Sequence, residues 1–157
     1  MAYQKLNTSR AWEVSPSDFG PIPQVMVKDS ELTVVSTPTT DTITVDAAID
    51  LVKLGIVRGM VVVGTTGAVS TINSVNGNTI TIKGTTVAYP VASSFTIYGG
   101  SNNGCLLYVG DSGDVKVMTA GGDEVVFANV AEGFVLPVNV IQVFATDTTA
   151  GNIIALW

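Results

Sequence analysis

Between residues 60 and 99 the short runs MVVVG, AVSTINSV, NTITIKG and SFTIYG follow at close spacing, and in NTITIKG and SFTIYG apolar and polar positions alternate. A period of two over such lengths predicts strands with one buried face. The middle pair is joined by Asn76-Gly77, a dipeptide that accepts the positive φ angles of a tight hairpin turn. Ile72 and Val75 stand three apart, so the alternation slips, which predicts a bulge or a strand end near Asn73-Ser74. The same style resumes downstream in CLLYVG, DVKVMT, EVVFANV, LPVNVIQVFA and IIALW, separated by DSGD, AGGD, AEG and TDTTAGN. In DVKVMT, Val115 and Val117 point one way and Lys116 the other. Pro137 has no N–H to give to a ladder, so it predicts an edge position or a strand start. The apolar ending Ile153, Ile154, Leu156 and Trp157 predicts a packed terminus.

Upstream, the runs VMV and ELTVVS lead through Pro38 to DTITV, where Ile43 and Val45 alternate with Thr42 and Thr44. Only VDAAIDLVKLG has a helical pattern: Asp46 is placed to cap, Ala48, Leu51 and Val52 share a face, and Gly55 suits the stop. At barely two turns it would need packing to persist. Residues 1–24 have no periodicity, and Pro16, Gly20, Pro21 and Pro23 punctuate them, so they are expected to form an extended arm and not a packed element. Exposing an aromatic side chain costs on the order of 1.5–3 kcal/mol relative to burial. Trp12 and Phe19 are therefore expected to cover their own domain or to dock onto a neighbour.

These elements predict an all-β protein: a small β-sandwich or barrel core, a β-rich inserted sub-domain and an extended N-terminal arm. The expected division is residues 1–39 for the arm and first strands, 40–99 for the insertion and 100–157 for the C-terminal core. GGSNNG at 99–104 serves as a flexible connector.

Composition sharpens this picture. Valine and threonine are the commonest residue types, and β-branched side chains suit a pleated, half-buried surface. Among the 157 residues 46% are hydrophobic and only 13% charged, against roughly 25% in an ordinary soluble domain. Much of the surface must then be uncharged or lie against other protein. The net charge of −6 opposes binding to a phosphate backbone, so nucleic acid is not an expected partner. The first residues, MAYQKLNTSRAW, lack the apolar stretch of a secretory signal, and no run approaches ~18 apolar residues, so no membrane association is expected.

Catalytic options are narrow. With no histidine and the single Cys105, the chain cannot build a Ser-His-Asp triad, a Cys-His pair or a zinc site of nitrogen and sulfur ligands. Cys105 reads as a buried thiol. Asp111, Asp114, Asp123 and Glu124 form the densest acidic cluster and could serve as an acid/base pair or as oxygen ligands for calcium. Aspartates beside glycines more commonly build turns, and that reading is favoured here. Tyr89, Tyr98 and Tyr108 could line a sugar-stacking platform or belong to core and rim. Trp12 and Trp157, at opposite ends of the sequence, are packing anchors or, in an assembling protein, intersubunit contacts. No catalytic, cofactor-binding or metal-binding residue is assigned.

The ordered segments LYVGDSGDV at 107–115, VVFANV at 125–130, GFVLPV at 133–138 and VFATDTTA at 143–150, with the ALW ending, form a specific series. The series resembles a family of small tailed-bacteriophage virion proteins, the decoration, cement or head-spike-base proteins also found in gene transfer agents. VSPSD at 14–18 and Ile22-Pro23 look like the segment with which these proteins open their first strand. Residues 40–99 look like a β-rich insertion of some phage members. There Gly55, Ile56, Arg58, Gly59 and Met60 stand where that pattern has Gly-Val and Gly-Asp, and SFTIYGG carries Phe95 in place of its first tyrosine. The resemblance implies an all-β virion component at the capsid surface, made in the host cytoplasm. It would bind the major capsid protein or head appendage proteins as a homo-oligomer, with a trimer expected, and would have no catalytic residues or cofactor. On that view Trp12, Pro16, Phe19 and Trp157 are the candidate interface residues. A head-spike or tail-associated adaptor carrying a fibre or touching host glycans is the alternative, and a polysaccharide-cleaving enzyme built on the acidic cluster is a third.

Overall fold

The inward side of most long strands is filled mainly by Val, Ile, Leu or Phe, and the sheets follow from pairing those faces. The computed structural model describes residues 9–99 and 103–157. The fold is all-β, with two antiparallel sheets, neither of which closes into a barrel. The chain divides into two compact units, residues 1–18 with 102–157 and residues 19–101. The insertion therefore begins at Phe19, and the expected boundary at residue 40 falls inside it. The connector expected at 99–104 lies mostly on 100–102, outside the described residues.

The first unit is a six-stranded sheet of β1 (Ala11–Glu13), β9 (Cys105–Asp111), β10 (Gly113–Thr119), β11 (Glu124–Val130), β12 (Phe134–Val143) and β13 (Gly151–Leu156), in the order β1-β13-β9-β12-β10-β11. Alternation decides the faces: Cys105, Leu107 and Val109 of β9, Val115 and Val117 of β10, and Ile153 and Ala155 of β13 are buried. Pro137 lies in the middle of β12, a central strand, and not at an edge as expected. The register slips between Leu136, opposite Leu107, and Val140, opposite Cys105. A bulge there spares the proline from donating to a ladder.

The second unit is a seven-stranded sheet of β2 (Val25–Thr33), β3 (Ser36–Thr39), β4 (Thr42–Thr44), β5 (Val61–Gly64), β6 (Val69–Asn76), β7 (Thr79–Ile82) and β8 (Ser94–Gly99), in the order β2-β8-β5-β6-β7-β4-β3. Its core includes Leu32, Ile43, Leu51, Ile56, Val62, Ile72, Ile80, Tyr89, Phe95 and Ile97. The expected slip in β6 is present: Ile72 pairs with Ile82 but Ser74 with Thr81. The β6–β7 hairpin turns at Gly77, with φ at 58°. A larger bulge interrupts β2, where Met26 pairs with Tyr98 but Glu31 with Thr96. The buried Ser30 Oγ closes it by accepting from Ile97 N–H at 3.3 Å, and it lies 2.6 Å from the Val27 carbonyl.

The helix expected from Asp46 does not form. Asp46 Oδ1 accepts from Ala48 N–H at 2.8 Å and Asp50 Oδ1 from Val52 N–H at 3.1 Å, while Leu51 N–H goes to the Gly77 carbonyl at 2.9 Å. Two aspartate side chains within five residues thus compete with the helical ladder and leave a string of turns. The turns still bury Leu51 and Ile56, whereas Val52 is exposed.

Tyr89 is buried, its hydroxyl 3.0 Å from Ser70 Oγ and 3.3 Å from the carbonyls of Val62 and Ala68. Burial pushes its hydroxyl up to about 12, and burial does the same to the Cys105 thiol. The unfolded chain releases these protons near about 10 and about 8.5, so above those values it binds fewer protons than the folded chain. The contribution of these two groups is accordingly fully present below about pH 8.5 and is lost as pH rises toward 12. Tyr89→Phe should cost about 1–2 kcal/mol in urea unfolding at pH 7 and reduce the alkaline loss. Cys105 should resist a thiol reagent at pH 8 until denaturant is added.

Candidate functional site

The N-terminal segment, expected as an extended arm and not a packed element, is stitched along the first unit from residue 9 to residue 18. β1 pairs with β13 so that Ala11 faces Leu156, Trp12 faces Ala155 and Glu13 faces Ile154. The Trp157 carbonyl accepts from the N–H groups of Ser9 and Arg10, and Trp157 N–H donates to the Arg10 carbonyl at 3.0 Å. The Arg10 guanidinium lies 5.2 Å from the Trp12 ring centre and 4.7 Å from that of Trp157, so one cation holds both indoles. Further along, Ser17 N–H donates to the Val143 carbonyl at 2.9 Å, and Gln142 Nε2 donates to the Ser17 carbonyl at 2.8 Å. Asp18 accepts from Thr146 N–H at 3.1 Å and from Thr146 Oγ1 at 2.8 Å. These bonds hold its carboxyl below the usual carboxylate range. The segment is a packed element because the edge of β13 needed a partner strand, a demand that the proline-rich pattern conceals.

Of the four candidate interface residues, Trp12 and Trp157 are thus brought together, half-buried, in the first unit. Pro16 is exposed. Phe19 belongs to the second unit, where its ring lies against Gly84 and its carbonyl accepts from Thr71 N–H at 2.9 Å; it remains 46% exposed.

The acidic residues separate into two places. Asp111 Oδ2 accepts from Asn152 Nδ2 at 2.7 Å and Asp114 Oδ1 from Asn129 N–H at 2.8 Å, at one end of β10. Asp123 and Glu124 stand toward the other end, in the turn into β11 and at its first residue; Glu124 pairs with Met118, four residues along β10 from Asp114, or about 14 Å at the rise of an antiparallel strand. Glu124 Oε1 is 2.9 Å from Lys116 Nζ, which also reaches Asp147 at 3.2 Å and lies over the Phe144 ring. The two pairs are not assembled into a single acid/base site, and the described residues contain no group of three or more possible metal-ligating side chains.

The tyrosines also part. Tyr89 is core, and Tyr108 lies on the first unit's sheet. Only Tyr98 lines a groove, about 330 Å³ in volume, on the second unit's sheet with Glu31, Val63, Thr65, Ser94 and Thr96. Cross-strand pairing places Thr96 between Glu31 and Val63. The groove offers the rings of Tyr98 and the largely buried Phe95, one carboxylate and several hydroxyls, with no cation in its lining.

β11 forms as a strand where EVVFANV predicts one, but its position at the sheet edge and its apolar exposure are not among the expectations. It is the outermost strand of its sheet, with Val125 38% and Val126 47% exposed. The unbroken apolar run VVF in EVVFANV was the available signal, since a one-sided strand would alternate. No protein family, curated protein or solved structure matches the chain.

Arg10→Ala should free both indoles, shift the tryptophan emission toward the red and lower stability by about 1–2 kcal/mol. Arg10→Lys should recover only part of this, because a lysine has no planar group to lie between two rings. Unchanged emission in Arg10→Ala would contradict the arrangement.

Proposed function

We propose that this chain is a structural virion protein that binds and stabilises an assembled phage capsid as a homo-oligomer, burying its uncharged β surfaces against major-capsid subunits. One observation carries the reading beyond the sequence resemblance. The segments bearing the resemblance fall on strands of a single sheet: LYVGDSGDV runs from β9 into β10, which flank β12, while VVFANV lies on β11, LPV on β12 and ALW at the end of β13. A set of motifs that shares one sheet is a unit of fold and surface, and its outer strand leaves apolar side chains uncovered. Low charge supports the same reading, because protein interfaces deplete charged residues at their centres.

A second reading, a head-spike-base or tail-associated adaptor that contacts glycans, is favoured by the groove at Tyr98. A tyrosine face with hydroxyl neighbours and a carboxylate acceptor suits a neutral polyhydroxylated ligand, and the absence of a cation in the lining disfavours an anionic one.

The test is addition of the purified chain to phage heads that lack it, followed by co-sedimentation and cryo-EM. Density at many symmetry-related sites and a higher melting temperature of the heads are expected. Binding at a few sites only, with glycan affinity lost in Tyr98→Ala, would select the adaptor. No binding to any head at saturating concentration would reject both.

A further inference from the structure

Of the four sheet edges, three are blunted. β1 is three residues long, β2 is broken by the bulge after Met26, and β3 is four residues long and contains Pro38. β11 is different: seven residues with no lysine or proline. Natural edge strands are usually shortened, charged or bulged against pairing. β11 carries one charge, Glu124 at its start, and a bulge in which Ala128 and Asn129, the latter with φ at 51°, together oppose Asp114; residues 124–127 keep regular register with β10.

The direction of its backbone groups follows from the hairpin. Thr119 N–H donates to the Asp123 carbonyl, which brackets the Met118–Glu124 pair as a non-hydrogen-bonded one. By alternation, Val125 and Phe127 exchange bonds with Val117 and Val115 of β10, while Glu124, Val126 and Ala128 turn their N–H and C=O groups outward. Among the described residues no strand pairs with that edge.

We propose that the outer edge of β11 pairs antiparallel with β11 of a second copy, about a two-fold axis at Val126. This rests on the homo-oligomer part of the reading above and names its interface. The sequence is self-complementary in this register. Val126 meets Val126, Glu124 meets Ala128, and Val125 meets Phe127, so no like charges are opposed. Each outward N–H of one copy finds a carbonyl of the other. On one face the apolar row Val117–Val125 runs on into Phe127 and Val115 of the second copy. Isologous pairing of this kind closes at a dimer, which limits the aggregation that an open edge otherwise invites.

The experiment is sedimentation equilibrium on the isolated full chain, without phage heads, over a range of concentrations. The wild type should dimerise. Ala128→Glu places a carboxylate opposite Glu124 of the other copy and should weaken the dimer tenfold or more. Ala128→Lys should dimerise at least as well as the wild type. Position 128 is exposed, and matching melting curves would show that both variants fold. Val126→Cys should form an intermolecular disulfide on mild oxidation, since hydrogen-bonded partners stand about 5.5 Å apart at Cα. A wild-type monomer at every concentration, or equal dimerisation of Ala128→Glu and Ala128→Lys, would overturn the proposal. Head binding by Ala128→Glu, measured separately, would leave the virion reading standing even if self-pairing failed.

Discussion

A strand that buries one face must still satisfy the hydrogen-bonding groups on both of its edges, and this second requirement governs the molecule. Backbone N–H and C=O groups are costly to leave unmade away from water. In the first unit β13 meets it from both sides, taking β9 on one edge and the short β1 on the other. The proline-rich N-terminal stretch is recruited for that reason and then held by Arg10 between two indoles and by Asp18 on Thr146. Where the requirement goes unmet, at β11, the chain has surface to offer.

How much of this was legible depends on range. Strand positions, the slip at Asn73-Ser74 and the turn at Gly77 follow from side-chain alternation and local φ preference, and both are written in adjacent residues. The helix at 46–55 was misread because Asp46 and Asp50 look like a cap and a helical residue when each is in fact a turn acceptor, and because Leu51 N–H is claimed by Gly77 from another hairpin. Pro137 was misplaced for a related reason. Its proline rule is correct, but a bulge in a central strand satisfies that rule as well as an edge does.

The candidate site was legible only in part. Aromatic type marked Trp12 and Trp157 as anchors, yet their meeting around Arg10 depends on the β1–β13 register, which joins the two ends of the sequence. The acidic cluster looked dense because its residues lie close in sequence. A seven-residue strand carries Asp114 and Asp123 to opposite ends, and each carboxylate there is engaged by a neighbour. The run VVF marks β11 as a strand that is not one-sided, but that its outer edge is free is not local, since strand order is a property of the sheet.

The same constraint sets the strength such a surface can have. An edge-to-edge contact over five residues is well short of the 1,200–2,000 Å² that stable complexes bury, so by itself it supports only a weak association. Weakness is compatible with a role on a shell. On a shell, copies held at neighbouring lattice sites would meet at effective concentrations in the millimolar range, where a contact only partly occupied by the isolated chain in solution would be filled, and each occupied edge would add to the retention of its neighbours. A surface of threonine, valine and glycine with few charges suits this regime. It forfeits long-range attraction and discrimination by charge, and gains contacts that depend on backbone geometry and register, which are the properties a repeating lattice supplies.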